Sequence, residues 1–158
     1  MFCALMTGIY IRSLLNDRIT YLEKLIEMVE IIRSQLNYSA SNIHSLLELL
    51  TNQKSFKQMY FLNTCLNELN NGTDFVSSWE YSLSSFKSPL NKEDKEIIVS
   101  FGFQLGKSDL EGQLSNCDLY KDRLRLQLDN ARKNKEKNGD MYMRLSVLSG
   151  VLIVILLL

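Results

Sequence analysis

The sequence contains little proline and glycine, and it has no run of alternating polar and apolar residues. Proline occurs once, at Pro89, and glycine occurs seven times in 158 residues. Because these two residue types interrupt helices, their scarcity favours long helices. The missing alternation argues against half-buried β-strands. We therefore predict an all-α protein, and the length suits a single domain.

Net charge and catalytic residue patterns are also lacking. The 18 basic and 18 acidic residues cancel, so composition gives no argument for nucleic-acid binding. His44 is the only histidine, and no serine has a histidine–carboxylate pattern near it, so we interpret His44 as a surface or capping residue. Cys3, Cys65 and Cys117 have neither metal-ligand nor redox spacing and are predicted to be reduced structural thiols. The sequence therefore predicts no catalytic residue, no cofactor and no metal site.

The segment 102–108, GFQLGKS, has some likeness to a phosphate-binding loop. That motif requires four residues between its glycines, whereas three residues separate Gly102 from Gly106. It also follows a β-strand, whereas this segment is predicted to be helical. Nucleotide binding is therefore not predicted here.

Two uncharged runs lie towards the ends of the sequence, at 1–11 and 145–158. If Arg144 reaches the interface, residues 141–158 would form about 27 Å of helix, close to a hydrocarbon core of roughly 30 Å. Residues 1–11 would form only about 16 Å of helix, so they fit a membrane segment only as part of a truncated span. The predicted domains are a membrane segment at 1–11, a cytoplasmic helical bundle at 12–140 and a transmembrane helix at 141–158.

Basic residues flank both runs on the side that faces the middle of the chain. Because basic residues mark the cytoplasmic side of a membrane segment, both flanks place the middle of the chain in the cytoplasm. The second cluster is also predicted to contact anionic lipid. Nucleic acid is the weaker alternative there, because no aromatic residues are interleaved with the basic ones. The flanking residues are Arg12 and Arg18 after the first run, and Arg132, Lys133, Lys135, Lys137 and Arg144 before the second.

Apolar residues recur with helical spacing through the middle of the chain. In a first helix at 12–37, and in a last cytoplasmic helix that begins near Ser108, the spacing alternates between three and four residues, as in a coiled-coil seam. We predict that these two long helices pack antiparallel as a stalk and that shorter helices cluster against it. The shorter helices are predicted at 42–51, 55–70, about 74–86 and 92–105.

Each stalk helix carries one basic residue in its apolar seam, Arg33 in the first and Lys121 in the last. Both would lie at a similar height, and two facing buried cations would be costly. Either Glu30 and Asp118, each three residues earlier, pair with them, or the seam opens at this height. In a third arrangement, which we prefer, both side chains reach outward to solvent.

The densest motif in the sequence is 101–109, FGFQLGKSD. Gly106 is predicted to adopt the left-handed conformation that ends a helix. Gly102 lacks a side chain one turn earlier, which permits a close helix approach. Residues 108–111 are predicted to form a capping box that starts the next helix. Together these features predict a tight helix–turn–helix.

This motif closely resembles that of the stage III sporulation protein AB family of endospore-forming bacteria. The residues that carry the resemblance are Phe101, Gly102, Leu105, Gly106, Ser108, Asp109 and Gln113. It extends over nearly the whole chain through Tyr38, Trp79, Glu80, Glu93, Glu96 and Gly150. The chain departs from the family at Gln35, where an acidic residue is usual, near Asn42, where a proline is usual, and in its short first run.

The resemblance implies a function that composition and periodicity do not show. Members of the family are similar to the cytoplasmic helical domain of the inner-membrane platform protein of type II secretion and type IV pilus systems. The resemblance implies a non-enzymatic platform subunit in the mother-cell membrane around the forespore. Expected partners are a secretion-type ATPase, other subunits of a sporulation channel complex, and further copies of the chain in a homo-oligomer. The alternative is a regulatory membrane anchor that recruits or inhibits a cytoplasmic enzyme without building a channel.

Overall fold

The computed structural model of the protein is all-α in the part of the chain that it describes. It describes the backbone of residues 2–39 and 42–157 and the side chains of residues 13–38 and 42–137. The predicted fold class is confirmed: six α-helices and one short 3₁₀ helix follow one another, without a strand among these residues. The elements are α1 (Phe2–Ser39), α2 (Ile43–Asn52), the 3₁₀ helix (Lys54–Phe56), α3 (Tyr60–Asn70), α4 (Phe75–Ser85), α5 (Lys92–Gln104) and α6 (Leu110–Leu157).

The two long helices, α1 and α6, pack against each other in opposite directions. Three ion pairs join them: Glu23–Arg132 at 2.7 Å, Glu30–Arg125 at 3.1 Å and Arg33–Asp118 at 3.0 Å. Residue numbers rise along α1 as they fall along α6, so the predicted antiparallel arrangement is confirmed. Their apolar residues form the buried seam, which includes Leu22, Leu25, Val29, Ile32, Leu36, Cys117, Leu124, Leu128 and Ala131.

The two basic residues of the seam share one carboxylate. Asp118 accepts a hydrogen bond from Arg33 Nε at 3.0 Å and another from Lys121 Nζ at 2.9 Å. The predicted pairing of Asp118 with Lys121 is confirmed, but that of Glu30 with Arg33 is wrong, because Glu30 accepts from Arg125 at 3.1 Å. The preferred arrangement, in which both basic side chains reach outward to solvent, is wrong for Lys121, whose side chain is only 17% exposed. Asp118 lies on the side of α6 that faces α1, so one carboxylate reaches both cations.

We expect Asp118→Asn to lower the free energy of unfolding at pH 7 by less than about 1 kcal/mol, because these ion pairs are partly open to solvent. Hydrogen bonds from Lys121 and from Arg33 hold the pKa of Asp118 below its ordinary value. A lowered carboxyl pKa stabilises the native state above the unfolded pKa of about 3.9, and this stabilisation is lost as the pH falls through the native pKa. Urea unfolding of wild type and variant should therefore differ at pH 7 and converge below about pH 4.

Asp122→Asn is the matched control for this experiment. The Asp122 side chain is 73% exposed, and its contact with Arg125 is 3.8 Å long. We expect no measurable change in stability for the control at either pH. An equal loss in both variants, or a loss that does not depend on pH, would contradict the role given to Asp118.

Three of the shorter helices, α2, α4 and α5, begin at a side-chain N-cap. Asn42 accepts a hydrogen bond from the Ser45 N–H at 2.8 Å, Asp74 from the Ser77 N–H at 3.0 Å, and Asn91 from the Asp94 N–H at 2.8 Å. The end of α3 is closed by a glycine turn. Gly72 has a φ of 91°, and the Thr73 N–H donates to the Glu68 carbonyl at 3.1 Å, which is the Schellman arrangement.

The predicted helix at 55–70 is wrong in its first turn, because the chain forms a 3₁₀ helix there and α3 begins only at Tyr60. An α-helix would bond the Ser55 carbonyl to the N–H of Met59. Instead, Lys24 Nζ of α1 donates to that carbonyl at 2.5 Å, and the Met59 N–H donates to the Phe56 carbonyl at 2.8 Å. The Ser55 carbonyl is therefore bonded to α1, and the chain between Ser55 and Met59 is not α-helical.

Within residues 13–38 and 42–137, none of the helices has both the length and the apolar composition that a membrane span requires. The predicted membrane segments at 1–11 and 141–158 lie outside these residues. The described fold therefore gives the predicted transmembrane segments no support.

Candidate functional site

The hairpin between α5 and α6 is built around the indole ring of Trp79 on α4. Trp79 is 1% exposed, and its Nε1 donates a hydrogen bond to the Ile98 carbonyl of α5 at 2.9 Å. Gly102 lies directly against this ring, so that a Cβ atom at position 102 would overlap the indole atoms. The close approach predicted at Gly102 is confirmed, and α4 is the helix that makes it.

The motif residue Phe101 joins this ring to the rest of the bundle. Its ring centroid lies 6.5 Å from that of Trp79 and 5.5 Å from that of Tyr120 on α6. Phe61 of α3 packs edge-on against the other side of the cluster, 5.4 Å from Trp79. Phe101 is 1% exposed. Phe101 therefore joins α5 to α4 and α6 directly, and to α3 only through Trp79.

The turn itself begins at Leu105 and Gly106. Leu105 is buried, and its N–H donates to the Phe101 carbonyl at 3.1 Å. Gly106 has a φ of 82°, which is the predicted left-handed conformation. A Cβ atom at Gly106 would also lie 3.0 Å from Cδ1 of Ile43 on α2. The turn thus needs glycine for its backbone angle, and α2 leaves little room beside it.

The residue that caps α6 is Asp109, so the capping box predicted at 108–111 is wrong: the N-cap lies one residue later, and Gly112, the third helical residue, has no side chain that could complete a box. Asp109 Oδ1 accepts a hydrogen bond from the Gly112 N–H at 3.0 Å, and the Asp109 carbonyl accepts one from the Gln113 N–H at 2.9 Å. The Gln113 side chain reaches back, and its Nε2 donates to the Ser108 carbonyl at 3.0 Å. Asp109 and Gln113 therefore close the turn from both sides.

Gly112 contributes to the same turn, although sequence reasoning did not select it. A Cβ atom there would lie 2.8 Å from Asp109 Oδ1 and 2.9 Å from the Ser108 side chain. Glycine is unfavourable within a helix. Its occurrence in the first turn after an aspartate is the signal that could have pointed to it.

A second cluster, at the start of α5, was also missed by sequence reasoning. The Asp94 side chain is fully buried and accepts two hydrogen bonds from the Arg18 guanidinium of α1, at 2.8 and 3.0 Å. The same carboxylate accepts from the Asn91 N–H at 3.1 Å, which completes a capping box. Arg18 also donates to Gln127 of α6 at 3.3 Å. One ion pair therefore holds together α1, α5 and α6.

This cluster changes the interpretation of Arg18, which the sequence presents as a membrane-flanking residue. Its side chain is 13% exposed, and the hydrogen bond with Asp94 raises the pKa of Arg18. The Arg18 guanidinium is therefore paired with Asp94 inside the bundle. The signal in the sequence was the pattern Asn91-x-x-Asp94, in which an N-cap is followed three residues later by a carboxylate.

The predicted membrane-proximal basic residues are only partly engaged within the bundle. Arg132 pairs with Glu23 of α1 at 2.7 Å. Lys133, Lys135 and Lys137 form no ion pair with another side chain in the described part of the chain. Arg144 lies outside the described side chains. The three lysines are thus the part of the predicted cluster whose charge the described bundle does not neutralise.

His44 makes a surface hydrogen bond between two helices, and Cys65 and Cys117 lie in the core. His44 Nε2 lies 2.8 Å from Asn70 Oδ1, which links α2 to α3 at the surface. Cys65 and Cys117 are free and buried. Burial raises the pKa of Cys65 to about 12 and that of Cys117 to about 11, so both thiols stay protonated and unreactive at neutral pH. Cys3 lies outside the described side chains.

Comparison with known proteins identifies the family. A family model described as "Stage III sporulation protein AB" matches residues 1–158, the whole chain. The chain belongs to the stage III sporulation protein AB family. A solved structure described as "Stage III sporulation protein AB" is similar in fold, with a TM-score of 0.64 and 20% sequence identity over 77% of this chain and 98% of that chain. Among curated proteins, none matches the sequence significantly.

Within this family member, the hairpin itself accounts for the motif residues. Phe101, Gly102 and Leu105 are buried in the core. Gly106 and the residues that cap α6 form the turn. In this chain the residues of 101–113 that carry the resemblance therefore determine how α4, α5 and α6 meet. Of the motif residues, only Gly106 and Asp109 of the turn are exposed.

Proposed function

We propose that this chain is a non-enzymatic membrane subunit of a sporulation complex at the boundary between mother cell and forespore. In this proposal the helical bundle lies in the mother-cell cytoplasm and is presented to a secretion-type ATPase. The observation that carries the proposal is the family match over the whole chain. The platform role and the ATPase partner rest on the resemblance of this family to secretion platform proteins.

The arrangement of α1 and α6 supports a membrane-attached scaffold. Because the two helices run antiparallel, the start of α1 and the end of α6 lie at the same end of the bundle. Residues 2–11 and 145–157 of the uncharged runs belong to these two helix ends. Attachment at that end would project α2 to α5 away from the membrane. Lys133, Lys135 and Lys137 precede the second run and would contact anionic headgroups.

The use of ionisable side chains supports a structural role in the same way. Asp94 is buried, and its carboxylate accepts hydrogen bonds from Arg18 and from the Asn91 N–H at the start of α5. The thiols of Cys65 and Cys117 stay protonated at neutral pH. A subunit that transmits or anchors nucleotide-driven motion needs a rigid bundle of this kind and no reactive group.

Binding of the full-length chain to the secretion-type ATPase of the same organism tests the proposal. The chain is reconstituted in lipid nanodiscs, and binding is titrated with and without nucleotide. We expect saturable binding that changes with nucleotide. Absence of binding to a chain that keeps its helical circular dichroism would contradict the ATPase role. A one-to-one complex with another soluble enzyme, without higher assembly, would favour the regulatory-anchor alternative.

Charge reversals on α5 provide a second arm for this test. Lys92 is 92% exposed and Glu96 is 65% exposed, so Lys92→Glu and Glu96→Lys should leave the fold intact. If α5 contributes to the partner surface, these variants weaken ATPase binding and spore formation. Glu48→Lys on α2 is the matched control, because that side chain is 56% exposed on another helix.

A further inference from the structure

The α4–α5 connection, residues 86–91, lies at the end of the bundle where α1 starts and α6 ends, which we call the anchored end. Asp94 in the first turn of α5 is held by Arg18, near the start of α1, at 2.8 Å. Pro89 of the connection lines a groove together with Asp17 of α1. The helix α4 therefore runs towards the anchored end, and α5 runs away from it.

The α2–α3 connection, residues 53–59, lies at the anchored end as well. Gln58 lines the same groove as the α4–α5 connection. The ring of Tyr60, which follows directly, lies 5.3 Å from the ring of Phe86 in the α4–α5 connection. The two connections therefore form one surface beside the start of α1, which we call the basal surface.

The charged residues of the basal surface are all basic. They are Lys54, Lys57 and Lys87. All three side chains are exposed, and none forms an ion pair with another described side chain. The connections at the opposite end of the bundle, beside the start of α2, carry one basic and two acidic residues, Lys107, Asp74 and Asp109. Positive charge is therefore concentrated at the anchored end.

Carboxylates near the anchored end do not cancel this charge. Asp17 on α1, Glu93 on α5 and Glu136 on α6 are exposed there, but exposed lysines outnumber them. These lysines are Lys54, Lys57, Lys87, Lys92, Lys133 and Lys137. A surface of this composition attracts anionic headgroups.

The register between α1 and α6 supports a common membrane level for the two long helices. Glu23 of α1 pairs with Arg132 of α6 at 2.7 Å, and a second pair repeats this register seven residues away on both helices. Followed for twelve residues towards the anchored end, the same register would set residue 11 level with residue 144. The two uncharged runs begin at these positions, so both would enter a membrane at one level.

The basal surface would lie close to that level. Asp17, which shares a groove with both connections, is six residues from residue 11, or about 9 Å along the helix. Electrostatic attraction acts over a screening length of about 8 to 10 Å at physiological ionic strength. The three lysines of the basal surface would therefore be attracted by an anionic headgroup layer.

We propose that the basal surface rests on an anionic lipid bilayer through Lys54, Lys57 and Lys87. Tyr60 beside it is 56% exposed, and tyrosine is common at headgroup level. The contact would hold the bundle upright and turn the α5–α6 hairpin away from the membrane. The inference rests on the proposed membrane attachment and extends it from the two long helices to the connections between the short ones.

Photo-crosslinking of the full-length chain to lipid tests this contact. The photoreactive residue p-benzoylphenylalanine is placed at Gln58 or Ser88, in liposomes of phosphatidylglycerol and phosphatidylcholine or of phosphatidylcholine alone. The matched control position is Asn71, which is exposed in a connection at the opposite end. We expect lipid adducts at Gln58 and Ser88 in the anionic liposomes, and none at Asn71. The adducts should decrease in phosphatidylcholine alone.

Charge reversal provides the second arm of this experiment. The triple variant Lys54→Glu/Lys57→Glu/Lys87→Glu should reduce the lipid adducts at least about tenfold. Lys107→Glu, at the opposite end, should leave them within about twofold. The three lysines are exposed and unpaired, so the triple variant should keep its thermal midpoint. If it does not, the same positions changed to glutamine give a milder version.

Several results would overturn the proposal. These are no lipid adduct at Gln58 or Ser88 in a chain that floats with the liposomes, equal adducts at Asn71, or adducts that survive the triple reversal. A protein adduct in place of lipid at both positions in sporulating cells would assign the basal surface to a partner protein instead. A chain that floats but gives no lipid adduct leaves the proposed membrane role standing, whereas a chain that does not float refutes both. Lipid adducts without ATPase binding would refute the ATPase role and leave the basal contact standing.

Discussion

Gly102→Ala should destabilise the protein by about 3 kcal/mol, at the upper end of the usual cost of overpacking a core. The added methyl group would overlap the indole ring of Trp79. The ring cannot easily move aside, because Nε1 is bonded to the Ile98 carbonyl at 2.9 Å. The rings of Phe61 and Phe101 also enclose it. Urea or thermal unfolding followed by circular dichroism measures the loss.

A double-mutant cycle with Trp79→Ala separates this overlap from a general effect of alanine in α5. Alanine lacks the Cγ, Cδ1 and Nε1 atoms that the added methyl group would overlap. We expect Gly102→Ala to cost clearly less in the Trp79→Ala background than in the wild type, since residues in contact are not additive. The same cost in both backgrounds would show that the indole ring is not the reason for glycine at this position.

Asp94→Asn should cost about 3 kcal/mol, because removing one partner of a buried ion pair leaves the other charge uncompensated. The Arg18 side chain is only 13% exposed, so water can solvate the unpaired guanidinium only in part. The substitution also replaces a charged acceptor for the Asn91 N–H at the start of α5. Equilibrium unfolding of the variant should therefore show a lower midpoint in urea.

The adjacent carboxylate supplies the control for Asp94. Glu93 is exposed and accepts one hydrogen bond from Gln127 at 3.2 Å. We expect Glu93→Gln to change stability by less than about 0.5 kcal/mol. Adding Arg18→Met to Asp94→Asn should recover part of the loss, because it removes the stranded charge. Equal losses for Asp94→Asn and Glu93→Gln would refute the role of the buried pair.

Much of the helical organisation was predictable because its causes are local. The N-caps Asn42, Asp74 and Asn91 act on N–H groups within three residues of themselves. The packing of the two long helices followed from their apolar spacing, which records which face of each helix is buried, and their antiparallel direction followed from the predicted membrane topology. The family was recognisable for a related reason. The motif around Gly102 and Gly106 combines a special backbone angle with a close approach, and few residue types satisfy either.

The candidate site was predictable only in part, because the partner of each motif residue lies elsewhere in the chain. Gly102 could be recognised as a close-approach position, but Trp79 as its neighbour could not. The predicted capping box was wrong because Ser108 and Asp109 are both good caps: the structure places the N-cap at Asp109, and Gln113 bonds back to the Ser108 carbonyl at 3.0 Å. Gly112 matters only because that choice brings Asp109 Oδ1 close to it.

By itself, the sequence determined the all-helical class, the caps, the buried face of each long helix and the family, since each depends on residues within a few positions of one another. Only the tertiary structure decided which charges pair and where one helix breaks. Arg18 and Asp94 are 76 residues apart, and Lys24 lies 31 residues from the Ser55 carbonyl to which it donates a hydrogen bond. The strength of such pairs depends on burial and distance, which packing creates and which spacing along a chain does not record.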